Sequence, residues 1–261
     1  MPPFSRDRTA VVMPRSRGTA ALAALVLAVA LGGCAVQPQD AQQRYEAAIA
    51  DAAVTSPEKV NPLLPVPAGA TVGVVSWVAK NRVPCPLDQP RCRFTVGAGR
   101  IWVTLAGEIQ SQCRAWSLSG VALRRRLEQL LGLPPDPPPQ YEKAVFATMQ
   151  VPRDALERPC LGIDAADPAH PKCTITAPAQ STAGADMQGF VGKQMMDSYV
   201  VHNPSGPGYP YTRLGYTYEW APGAEAHRHY GTSEFVVAPG TSVAVTDEVA
   251  SDAYCTPGGP P

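Results

Sequence analysis

The sequence predicts an α+β fold: an antiparallel sheet with two or three packed helices and disulfide-stapled loops. Three observations carry that expectation. Short β-rich segments recur without the regular strand–helix–strand spacing of a parallel sheet. One segment, 120–131, repeats leucine with helical period. Six cysteines lie between positions 85 and 255 of a chain with 29 prolines among 261 residues, roughly twice the usual share of proline. So much proline excludes a mainly helical bundle, because each one fixes a backbone angle and removes a donor. Equal numbers of basic and acidic residues, 22 each, argue against a nucleic-acid partner, which selects a basic excess.

The first element is an export signal at 1–33. Arg6, Arg8, Arg15 and Arg17 precede a run of thirteen uncharged, mostly apolar residues at 19–31. That run is short for a transmembrane helix and normal for the core of a signal peptide. It ends in Leu31, Gly32, Gly33 and Cys34, an aliphatic residue and two small ones before a cysteine.

This quartet resembles the lipobox of bacterial lipoproteins. The resemblance implies that Cys34 is diacylglycerylated on its thiol, becomes the first residue after cleavage, and is acylated on its new amine, palmitate being a typical chain. Several acyl chains give stable membrane residence where one does not. The expected partner is therefore a membrane, reached through the N-terminal anchor. Ala35 after the cysteine leans the expected location to the outer membrane, facing either the periplasm or the surface. Cleavage removes four of the 22 basic and one of the 22 acidic residues, leaving a net charge of −3.

Residues 34–70 are expected to be a tether. Asp40 is placed to cap a helix over 40–54 with Tyr45, Ile49 and Ala52 or Ala53 on one side, a thin apolar face. Pro57, Pro62, Pro65 and Pro67 then impose an extended linker. The globular domain is expected over 71–261. Strands are predicted at 71–78 and 100–105, with a proline-bent loop between Cys85 and Cys92. The helix at 120–131 has Ser119 to cap it, Leu123, Leu127, Leu130 and Leu131 on its core side, and Gly132 and Pro134 to end it. Arg124, Arg125 and Arg126 read as a solvated face, with an anionic-lipid contact as the alternative.

Residues 134–139 form a stiff polyproline-like bridge, 143–151 a strand, and 154–179 a second stapled loop. A helix follows at 186–199 with Met187, Phe190, Val191 and Met195 as core filling. Leu214, Tyr216, Tyr218 and Trp220 alternate with polar residues, which predicts a strand with an aromatic, buried face. Two short strands at 234–238 and 241–246 flank Pro239 and Gly240.

Cys85, Cys92, Cys113, Cys160, Cys173 and Cys255 form an even set in an exported chain, which predicts a disulfide framework. Six cysteines allow fifteen pairings. Proximity favours Cys85 with Cys92 and Cys160 with Cys173, which leaves Cys113 for Cys255. Their spacing fits no zinc ribbon or finger, and no metal or other cofactor is expected.

The nucleophile, zinc-protease, phosphate-loop and dinucleotide motifs are absent. The catalytic candidates are Arg213, His227, His229 and Glu234, with Glu219, Tyr230 and Ser233 beside them. Histidines two apart on a strand point the same way and can share a metal if Glu219 or Glu234 supplies a third ligand. The flanking residues read as a loop, which favours exposed histidines without metal. Arg213, Ser233 and Glu234 are also similar to the arginine–serine–glutamate pattern of ADP-ribosyltransferases, though the full Ser-Thr-Ser and paired-acid signatures are missing. The segments RRRLEQLLGLPPD, YPYTRLGYTYEW and GTSEFVV resemble parts of bacterial secreted or lipid-anchored proteins without assigned activity. The functional expectation is a lipid-anchored cell-envelope protein with a binding or structural role, its partner an envelope protein or a glycan. The alternative is an envelope hydrolase or transferase using the C-terminal Arg/His/Glu cluster.

Overall fold

The computed structural model describes residues 40–86, 89, 91–177, 185–201 and 208–259. The expected signal segment, the lipobox with Cys34, and His202 lie outside the described residues. Seven strands form one antiparallel sheet: β1 (Thr71–Ala79), β2 (Cys92–Thr95), β3 (Ile101–Leu105), β4 (Lys143–Pro152), β5 (Leu156–Glu157), β10 (Phe235–Val237) and β11 (Ser242–Ala250), in the order β2-β11-β4-β1-β3-β10-β5. Two small two-stranded sheets pair β6 (Ile163–Asp164) with β7 (Lys172–Cys173), and β8 (Tyr216–Tyr218) with β9 (Tyr230–Ser233). Five α-helices complete the described architecture: α1 (Ala41–Ala53), α2 (Ala106–Ala115), α3 (Gly120–Leu130), α4 (Ala185–Ser198) and α5 (Ser251–Cys255). The α+β class is as expected from the sequence. None of the described helices is long and apolar enough to cross a membrane.

Alternation along the strands sorts the sheet into two faces. On one, Val72, Val74, Val103, Leu105, Met149, Val151, Phe235, Val237 and Val245 join residues of β2 and β5 in a single apolar cluster. All seven strands contribute to it and none of the described α-helices does. The other face is covered by helices in two separate patches. α2, α3 and α5 cover Val75, Trp77 and Phe146, whereas α4 and Tyr211 cover Val236 and Trp102. α2 is an addition to the sequence expectation. Its apolar signal is only Ile109 and Cys113, one i,i+4 pair, and it starts straight from β3 without a side-chain cap.

Gly132 ends the α3 region in the left-handed conformation at φ +64, where a side chain is strained. The three cysteine pairs are Cys85–Cys92, Cys113–Cys255 and Cys160–Cys173, the set that proximity favours. Cys113–Cys255 joins α2 to α5 across 142 positions of chain.

Two expectations are corrected. The segment 34–70 is not a free tether over its described part. α1 has a full capping box between Asp40 and Gln43 and buries Tyr45, Ala48, Ile49 and Ala52. Tyr45 meets Trp220 edge-on at 5.8 Å, and its hydroxyl donates to the Gly208 carbonyl at 2.7 Å. Downstream, Leu63 packs on the Cys160–Cys173 region, and Lys59 is ion-paired to Asp51 at 2.9 Å. A face of two alanines with Tyr45 and Ile49 lets the helix approach closely, so a thin stripe is enough. The second correction concerns the α3 arginines. Each is only about a quarter exposed and is held by carboxylates: Arg124 by Glu142, Arg125 by Asp136, and Arg126 by Glu219. Arg126 also lies over the Trp116 ring at 4.4 Å. Charges fixed in this way form a scaffold linking α3 to neighbouring loops rather than a free basic patch.

Candidate functional site

The gap between the two helix patches is the site. α3 stops at Leu130 and α4 covers only the far strands, so the middle of the sheet is roofed incompletely. A cavity of about 310 Å³ remains there. Val75, Trp77, Trp102, Thr104 and Phe146 form its floor on β1, β3 and β4. Leu131 to Leu133 after α3, Gln194 and Ser198 on α4, and Tyr209 to Tyr211 form its walls and rim. The volume is at the lower end of the range of small-molecule pockets, about 300–1,000 Å³.

The walls are aromatic and held firmly. Trp102 is flanked by Phe190 and Tyr211 at centroid distances of 5.6 and 5.9 Å. The Tyr211 hydroxyl donates to the Pro159 carbonyl at 2.6 Å, and the Tyr199 hydroxyl to the Tyr211 carbonyl at 2.7 Å. Trp77 stacks on Phe146 at 5.9 Å, with its indole N–H donating to Ser251 Oγ. Tyr209, half exposed, stands at the rim.

Glu234 supplies the acidic group. It sits between β9 and β10, where the chain passes from the small sheet to the main one, and its N–H donates to the Gly215 carbonyl at 2.9 Å. Its side chain lines the cavity, and Oε2 is buried without a hydrogen-bond partner. Burial alone pushes its pKa up to about 8, since the charged form is costly where water is excluded. Thr104 Oγ1 on the same floor is also buried and unpartnered. Lys143 lines the cavity as well; burial lowers its pKa first, and the charge of Arg82 lowers it further. By strand register Lys143 is opposite Ala79, at the end of β1, whereas Glu234 lies one residue from the Phe235–Val103 pair, two strands beyond β1.

The other candidates are not in this cavity. Arg213 reaches back to α1, donating to the Ala53 carbonyl at 3.1 Å and to Thr55 Oγ1 at 3.3 Å, with its guanidinium over Tyr199. His227 is half exposed and lies 3.4 Å from Glu219. His229 stacks on Tyr218 at 4.5 Å, and its Nδ1 is 2.9 Å from the Glu219 carbonyl. Glu219 is committed to Arg126. Among the described residues no three His, Cys, Asp or Glu side chains are grouped to hold a metal. Ser233 is fully buried, its N–H donating to Glu108 at 2.9 Å, and burial raises the Glu108 pKa. A serine sealed in this way offers no attacking oxygen to a substrate.

Of the sequence candidates, then, only Glu234 faces the large cavity. Trp102, Thr104, Phe146 and Lys143 line it without having been candidates. Trp102 and Thr104 are two apart on β3 and share its helix-covered face. A bulky indole beside a polar hydroxyl there is the one sequence hint of a wall not filled by packing. Compared with known protein families, curated proteins and solved structures, the chain matches none. The fold and site define a disulfide-stapled α+β domain with an aromatic cavity in its helix-covered face.

Proposed function

We propose that this chain is a lipid-anchored protein of the cell envelope whose domain binds a small, mostly apolar molecule. The observation that carries the binding role is the cavity of about 310 Å³ between the two helix patches, with aromatic walls and a mainly apolar lining. Sites of that kind bury most of a small ligand and use a few polar groups to orient it. The separation of Arg213, His227 and His229 from Glu234 favours binding over the hydrolase or transferase alternative. The anchor rests on the segment ending at Cys34, and three disulfides suit an oxidising compartment outside the cytoplasm. The outer membrane is the preferred location, and a membrane the preferred partner.

Two experiments test the two halves of this reading. Cells given a fatty-acid analogue should label the wild-type chain and leave Cys34→Ala unlabelled; equal labelling of both, or of neither, defeats the anchor. The purified domain should bind the fluorophore aminoanthracene saturably. Gln194→Trp, placed at a half-buried α4 position on the cavity wall, should weaken that binding at least about tenfold, a loss of roughly 1.4 kcal/mol. An unchanged affinity with an unchanged melting temperature would place the fluorophore elsewhere.

A further inference from the structure

We infer that the cavity is built for an organic ammonium ion carried on an aromatic or aliphatic body, with Glu234 as its counter-charge; this rests on the small-molecule binding reading above. Three observations point the same way. A buried carboxyl oxygen without a partner is costly and calls for an explanation, and one that faces an open cavity can be satisfied by a ligand. Oε2 of Glu234 is such an oxygen, on a side chain that lines the cavity. The surrounding surface is rich in π faces, with Trp102 and Tyr211 packed against Val236 of β10, and π faces attract cations. Among the described residues no arginine lines the cavity, and the single lysine that does, Lys143, is displaced along the sheet by strand register. The cationic position beside Glu234 is thus left to the ligand.

The charged and titratable groups around Glu234 agree with that assignment. Tyr199 and Tyr211 both lie within its field, and their phenols are pushed up in pKa by burial first and by Glu234 among the lesser causes. Arg213 acts on the same two phenols in the opposite direction, yet its Nη groups reach Ala53, Thr55 and Met195 Sδ and its guanidinium lies over the Tyr199 ring. Burial keeps the free Glu234 carboxyl largely protonated at neutral pH. An incoming ammonium ion favours the carboxylate, so its proton leaves to the buffer as the ion pair forms. A neutral ligand of the same shape releases none.

The test compares three indoles of one body and different charge as displacers of aminoanthracene: tryptamine, tryptophol and indoleacetate. A charge-assisted hydrogen bond from the ammonium should make tryptamine at least about tenfold stronger than tryptophol, and indoleacetate the weakest. Glu234→Gln should bring the tryptamine-to-tryptophol ratio close to one. Calorimetry of the wild type at neutral pH, in buffers of different ionisation enthalpy, should show proton release with tryptamine and none with tryptophol. This second measurement keeps the test decisive if the variant fails to fold. If aminoanthracene binds but tryptamine holds no advantage, or keeps it in Glu234→Gln, or binds without releasing a proton, the ammonium assignment is overturned and the cavity reading survives. If aminoanthracene and all three indoles fail to bind, both are overturned.

Discussion

Replacing Trp220 with alanine is expected to cost the domain about 3–5 kcal/mol, the range for large-to-small changes in a packed core. The side chain is 2% exposed. Its ring meets Tyr45 edge-on, and its indole N–H donates to the Leu133 carbonyl at 3.0 Å. Truncation therefore opens a cavity, removes an aromatic pair and leaves a half-buried carbonyl without its donor. The damage should be directional, because Trp220 and Tyr218 are the residues on which α1 packs. Denaturant midpoints measure the cost, and limited proteolysis should cut first near α1 in the variant. A loss near 1 kcal/mol with α1 still protected would mean that the helix is held by something other than this contact.

Stability should also depend on pH in a manner that Glu234→Gln removes. The Glu234 pKa is raised from 4.5 to about 8 by burial. Below the unfolded-state value the carboxyl is protonated in both states and costs nothing. As pH rises towards the folded-state value, the unfolded chain ionises and the folded one does not, so stability falls across roughly pH 4.5 to 8 and levels off above it. Each pH unit between the two values is worth about 1.36 kcal/mol, so the loss is on the order of 3–5 kcal/mol. Glu128, raised to about 7 chiefly by burial, and Glu108, raised for the same reason, act with the same sign. The difference between wild type and Glu234→Gln isolates the one group. A buried amide has its own fixed cost, so the prediction concerns the change in that difference. From about pH 5 to about pH 9 the variant should gain on the wild type by the amount just given. A difference that stays flat with pH would mean that Glu234 is solvated or paired in the folded protein.

How much of this is legible in the sequence follows from how local each signal is. The α3 stripe, the α4 methionines and the alternation at Leu214, Tyr216, Tyr218 and Trp220 are periodic patterns, and all four residues of the last are buried. The strand itself is only Tyr216–Tyr218 and pairs with β9, not with the main sheet. Alternation reports which side is buried, not which sheet the strand joins. α2 is invisible in the sequence because a single i,i+4 pair is no pattern. α1 reads as a tether because a stripe of alanine with one tyrosine and one isoleucine carries little hydrophobic signal, although its cap is recognisable. Glu234 stands out for the chemistry of its carboxylate, but its place cannot be deduced from the chain alone. A cavity arises where two helix patches fail to meet, and that depends on where α3 and α4 end relative to strands far away in sequence.

A small molecule is expected to occupy the space beside Trp77 and Trp102. The chain has four tryptophans, and they divide cleanly: Trp77 and Trp102 line the cavity, while Trp116 lies under Arg126 and Trp220 packs on α1. Following the four indole N–H resonances during titration with tryptamine reads the location directly. The expected result is that Trp77 and Trp102 shift together and saturate while Trp116 and Trp220 stay fixed. Saturable shifts at Trp116 or Trp220 alone, or four unmoved signals at concentrations that displace aminoanthracene, would contradict it.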